Sequence, residues 1–261
     1  MTGERPRTGP DRSGGGGAGK ATPGAIRAQS NVVGVAILLG LTVVAMGALT
    51  AGIGAVVEEN AATADAHRVS DGFDRSLRPV ETTGAHRGRV SFAEGTLRTV
   101  ERDLRVIGDG TTHTVQVDAL VYEGDGHRVA FLAGAIVRGT APGAVMERQP
   151  PITASRGSGG VLVVGAPKLN ASPVARSGSE VSATLHTDVT HDRTRLGEGE
   201  YTVAIETETP RAWERAFERL GATVVATDRD FDGDGVTSVV ARFPGDRVAY
   251  LVVHDMRLEV S

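Results

Sequence analysis

The sequence predicts an α+β chain, a long N-terminal transmembrane helix followed by a mainly β head domain with one packed helix. Three observations predict it. Val32 to Val57 runs for 26 residues without a charged side chain. From about Gly88 the pattern changes to period two, as in Val181, Ala183, Leu185, Thr187 and Val189. Near the C-terminal end, Trp213, Ala216, Phe217 and Leu220 recur at i, i+3, i+4 and i+7. The expected division is a disordered basic leader over 1–28, the helix and its aqueous extension over 29–80, and the head over 81–261.

Residues 1–24 are rich in Gly, Pro and Arg and hold almost no large apolar side chain. Such a stretch cannot bury enough surface to offset its ordering entropy. Gly14 to Lys20 has the spacing of a phosphate-binding loop, but Ala21 stands where Ser or Thr is required and no strand precedes it, so it reads as a linker. The 26-residue run as a helix is about 39 Å long at ~1.5 Å per residue, enough to cross a hydrocarbon core of ~30 Å. In lipid a helix satisfies its own backbone polar groups. Gly34, Gly40, Gly47, Gly52 and Gly54 would weaken it in water, yet they permit close approach of neighbouring helices.

Charge orients the span. The first 28 residues hold five basic against two acidic side chains, a balance of +3 that leaves −7 for the remainder of a chain with total charge −4. Positive flanks stay cytoplasmic, which places the acidic part outside. An acidic exterior repels phosphates and argues against a nucleic-acid partner. With no cysteine, neither disulfides nor thiol chemistry is available.

Just before the apolar run stand Arg27-Ala28-Gln29-Ser30-Asn31, followed by Val32-Val33-Gly34-Val35. A basic residue and a small residue directly ahead of a long, retained apolar helix resemble the class III signal peptide of archaeal type IV pilins and archaellins, above all haloarchaeal ones. The resemblance covers about 30 residues. It implies cleavage by a prepilin peptidase between Ala28 and Gln29, with Arg27 ahead of the cut, retention of the helix, and assembly with itself or other pilins into a surface filament. Bacterial pilins carry Glu at the fifth mature residue, where this chain has Val33. That difference speaks against the bacterial branch.

Beyond the span, Val69, Phe73 and Leu77 fall at four-residue spacing in a helix expected to fray near Gly72 or Pro79. In the head, Val115, Val117, Ala119 and Val121 read as one alternating strand. Glu123-Gly124-Asp125-Gly126 reads as a hairpin turn before a strand over 128–137, and Leu196-Gly197-Glu198-Gly199 as a second turn. Residues 140–160 read as a long loop, with a short strand at 161–164. Thr209 suits an N-cap, Pro210 the first helical position and Gly221 a left-handed C-terminal cap. The single Trp213 is expected in the core. Strands are expected at 223–227, 236–243 and 247–260.

Asp230-Phe231-Asp232-Gly233-Asp234-Gly235 gives the start of a calcium loop. Its twelfth place is Ala241 rather than Glu, and its flanks read as strands, so it is not an EF-hand. A hairpin tip binding Ca²⁺ weakly through Asp230, Asp232, Asp234, the Val236 carbonyl and water is the metal reading; a solvated acidic turn is the other. His186, Asp188, His191 and Asp192 offer ligand types, but residues 186 and 191 point to opposite faces of a strand. There is no Gly-x-Ser-x-Gly pentad; the nearest stretch is Gly157-Ser158-Gly159-Gly160. No acid, base and nucleophile converge in the pattern, so no enzyme is expected. Asn170-Ala171-Ser172 is a glycosylation acceptor, with Pro173 next to it reducing its use.

The reading is a pilin-like subunit or minor pseudopilin in the cell membrane, single-pass, its head extracellular, in contact with lipid, peptidase and other subunits. The alternative is an uncleaved, membrane-anchored binding module that does not assemble. Cleavage after Ala28 separates the two.

Overall fold

The structure, a computed structural model, describes residues 24–78, 82–155 and 160–261. The chain divides into two compact units, Met1–Ala55 and Val56–Ser261. Helix α1 runs from Gly24 to Ser76, 53 residues, so residues 24–28 of the expected leader are helical; the expectation of disorder over 1–23 lies outside the described residues. In the first unit, among the described residues, every residue of the helix from Val33 to Gly54 is exposed. Among the described residues it is the one helix long and apolar enough to cross a membrane.

In the second unit α1 continues as an amphipathic helix. Ala62, Ala66, Val69, Phe73 and Leu77 are buried on one stripe. Gly72 does not fray the helix. A Cβ there would lie 3.2 Å from Val90 Cγ2, so the glycine lets helix and sheet meet. The last helical bond is Leu77 N–H to the Phe73 carbonyl, 2.9 Å, and residues 79–81 fall outside the described part.

The sheet follows in chain order. Its first strands are β1 Gly84–Val100, β2 Asp103–Gly108, β3 Thr111–Gln116, β4 Ala119–Gly124, β5 His127–Leu132 and β6 Ala135–Arg138. Then come β7 Val145–Arg148, β8 Ile152–Ala154, β9 Gly160–Lys168 and β10 Ala175–Glu206. Helix α2, Pro210–Arg219, precedes β11 Thr223–Arg229, β12 Ser238–Asp255 and β13 Glu259–Val260. The main path is β7-β6-β5-β4-β1-β10-β12-β9-β8. All pairings are antiparallel except β9 with β12.

Two cores lie on opposite faces of β4 and β5. Leu120, Tyr122, Val129 and Phe131 pack with Phe73, Val90 and Leu185 beneath α1. Ala119, Val121, Ala130 and Leu132 face the other core, with Val203, Phe243, Trp213 and Phe217. A strand buried on both faces reads as a continuous apolar run rather than an alternating one. This explains why the alternation expected over 115–121 fails. Val117 lies in the connection between β3 and β4, and burial from Ala119 to Tyr122 is unbroken.

Other boundaries differ from expectation for local reasons. The turn at Asp125-Gly126 joins β4 to β5, but the strand expected over 128–137 turns back at Ala133-Gly134, both at positive φ. Leu196 to Gly199 is not a turn. It is an irregular stretch of the 32-residue β10, whose register against β12 shifts at Arg195/Gly197 and Gly199/Tyr201; the glycines mark bulges. The expected loop over 140–160 contains β7 and β8. Residues 236–243 and 247–260 are largely one strand, β12, which runs through Pro244-Gly245 without breaking. Helix α2 starts at Pro210 with Thr209 as N-cap residue, although the Thr209 hydroxyl makes no capping bond. Gly221 sits at φ +79, the left-handed position its place required. Trp213 is fully buried.

Candidate functional site

Most of the exposed large apolar side chains among the described residues lie in the first half of α1. Ile37, Leu41, Val44, Met46 and Leu49 each keep more than three-fifths of their surface exposed. These positions point all around the helix, so no single stripe is prepared for a sheet. The two threonine hydroxyls in the run donate inward: Thr42 Oγ1 to the Leu38 carbonyl at 2.9 Å and Thr50 Oγ1 to the Met46 carbonyl at 2.9 Å. They need no solvent or partner. A Cβ added at Gly34, Gly40, Gly47, Gly52 or Gly54 would meet nothing within 4 Å. Nothing among the described residues requires those glycines, and they leave open grooves for a neighbour. Arg27, Ala28 and Gln29 lie in the helical backbone; their side chains lie outside the described residues.

The calcium-loop residues form the tip between β11 and β12, as their flanks implied. Asp230, Asp232 and Asp234 bring carboxylate oxygens within 4.8 Å of one another. The tip is also closed by its own bonds. Asp230 accepts from Gly233 N–H at 2.8 Å and Gly235 N–H at 3.0 Å, and Asp234 from Val236 N–H at 2.8 Å. The Gly233 and Gly235 N–H groups hold the Asp230 carboxyl below its usual range. Asp232 accepts from Arg105 Nη2 at 2.8 Å.

Arg105 is the cation sequence reasoning missed. It is buried, it pairs with buried Glu206 and with Asp103 at 2.9 Å as well as Asp232, and its guanidinium lies 5.0 Å from the Phe231 ring centre. Burial disfavours its charge, but the bond to Glu206 and the surrounding carboxylates more than offset this and raise its pKa. Asp103, Glu206 and Asp232 form a second group with metal-ligand spacing. The arginine already sits among them. Only the sheet pairing of β2 with β10 joins Arg105 to Glu206, 101 residues apart.

Asn170 is exposed at φ +46, and its Nδ2 donates to both Asp255 carboxylate oxygens at 3.0 and 3.1 Å. Glycosylation at that nitrogen would displace this contact. Gly157, Ser158 and Gly159 lie outside the described residues. The ligand types in His186-Thr187-Asp188-Val189-Thr190-His191-Asp192 do not converge. His186 stands opposite Arg87 and Glu259, while Asp188 pairs with Arg257 at 3.5 Å. His191 instead meets His254, directly opposite on β12, with Nδ1 atoms 2.7 Å apart and ring planes at 81°. No local motif marks His254; its partner becomes visible only through strand register.

A family model described as a family of unknown function (DUF7289) matches residues 27–259, covering helix and head together. No curated protein and no solved structure matches the chain.

Proposed function

The chain belongs to the DUF7289 family, and on that premise we propose that it is a membrane-anchored, pilin-like structural subunit. In this reading Arg27-Ala28 is the recognition end of a leader, Gln29 is the first mature residue, and the first half of α1 serves in lipid before cleavage and in a filament core afterwards. The head faces outward, because the basic flank precedes the span. The observation that carries the reading is the uncharged helical stretch from Val33 to Val57, apolar on every side and, among the described residues, exposed without a tertiary partner. A helix of this kind is stable in lipid, where its backbone is self-satisfied. Its exposed glycines also allow close packing against copies of itself.

The test is the N-terminal residue of the protein isolated from its native membrane, compared with an Arg27→Ala variant. Wild-type protein beginning at Gln29, with the variant retaining its leader, supports prepilin-type processing. Native protein that keeps residues 1–28 removes the pilin reading and leaves a single-pass anchor carrying an acidic β-rich head.

A further inference from the structure

We propose that His191 and His254 form a binding site for a divalent transition-metal ion of the zinc, nickel or copper class, held by their two Nδ1 atoms across β10 and β12. The residues are direct cross-strand partners, so their Cα positions are fixed by the ladder rather than by loops. Their Nδ1 atoms already converge at 2.7 Å with ring centres 4.8 Å apart. Metal–nitrogen bonds of about 2.0–2.1 Å in tetrahedral geometry separate two ligand atoms by roughly 3.3 Å. The two nitrogens therefore need to part by about 0.6 Å, and each ring to turn so that its lone pair leaves the N···N line for a shared point beside it.

Without a metal, one ring donates its Nδ1–H to the other. With a metal, both Nδ1 lone pairs point at the ion and both rings carry their proton on Nε2, so no net proton is released. His254 is buried and His191 is exposed. The ion can therefore enter from the His191 side and complete its coordination with water. Residues 190–199 of β10 pair with β12 alone among the described residues, so the other edge of His191 is uncovered.

The donor set also selects the ion. Strand alternation puts Asp192 and Asp255 on the opposite face, and the Asp255 carboxylate is engaged by Asn170 and the Arg257 N–H. Arg193, on the same face as His191, holds its guanidinium 4.1 Å over the Tyr250 ring. Two neutral imidazoles without a carboxylate suit zinc, nickel and copper, and offer little to calcium or magnesium. Burial and the neighbouring His191 push the His254 pKa down to about 4, so it is an unprotonated ligand at neutral pH.

The experiment is calorimetric titration of the full chain in detergent, free of any histidine tag, with Zn²⁺ and Ni²⁺, paired with thermal unfolding. The expected result is about one ion per chain with micromolar affinity. At ~100-fold excess over the dissociation constant, the unfolding midpoint should rise by about 5–10 °C. His191→Ala should lose both effects; because it also removes the hydrogen-bond partner of buried His254, its metal-free midpoint should fall, and the metal effect is read for each protein as the difference with and without ion. His86→Ala should keep both effects. Absence of saturable binding below ~1 mM, or equal binding by wild type and His191→Ala, overturns the proposal.

Discussion

The two halves of α1 share one backbone geometry and differ in every other respect. From Val33 to Val57 the described side chains are apolar or small on all sides and exposed. From Ala62 to Leu77 a single stripe is buried, and the polar groups reach the sheet: Asp65 accepts from Ala93 N–H of β1, and Ser70 donates to Glu147 of β7. In the first half the hydroxyls bond only to their own helix. The difference teaches that helical pattern encodes solvent. A stripe matches one apolar neighbour across water, and uniform apolarity matches surroundings that are apolar everywhere.

Truncating the stripe should have the largest effect. Phe73→Ala removes a fully buried ring and should destabilise the head by about 3–5 kcal/mol, read by urea unfolding, while membrane association stays unchanged. The converse change is Met46→Arg. It should leave head unfolding unaltered and disfavour insertion by about 2.5–3.5 kcal/mol, read as the fraction of protein recovered with membranes. If Met46→Arg also lowers head stability, the two halves are not independent in the way their contacts imply.

The same contrast explains what was legible in the sequence. The apolar run, the Val69-Phe73-Leu77 stripe and α2 are local patterns, and each was visible from spacing. Strand boundaries were not. β4 and β5 sit between two cores and lose their alternation, and Gly197 and Gly199 bulge a strand instead of ending it. The Asp230–Asp234 tip was legible because three ligands lie within five residues. Arg105 at that tip and His254 beside His191 were not, because only pairing between distant strands supplies them.

The buried imidazole gives the head a pH dependence that the first half of α1, lacking any titratable group between Val33 and Val57, cannot have. His254 falls from 6.5 to about 4 on folding. The unfolded chain therefore binds more protons between those values, and stability rises with pH across the window. Stability is fully present above pH ~6.5 and is lost as pH falls toward ~4, by at most about 3–4 kcal/mol. His254→Asn should flatten this part of the unfolding profile, measured as the difference from wild type so that carboxylate titration cancels. An unchanged slope would mean that the ring is solvated in the folded state.

The smallest effect is expected at the acidic tip, where the chain supplies its own cation. Asp232 is shared with Arg105, and the Asp230 carboxylate accepts two backbone N–H groups. An entering Ca²⁺ would compete with both arrangements, so its affinity should fall in the ~10⁻⁴–10⁻³ M range of weak calcium sites. At ~5 mM Ca²⁺ and a dissociation constant near 1 mM, the gain in head stability is about 1 kcal/mol. Asp234→Asn should abolish that gain while leaving the metal-free midpoint nearly unchanged, because Asp234 is exposed and far less engaged than Asp232. A gain several times larger would show that calcium displaces Arg105 from Asp232 and takes over the closing of the tip. No gain at all would leave Arg105 and the backbone N–H groups as the whole explanation of the turn.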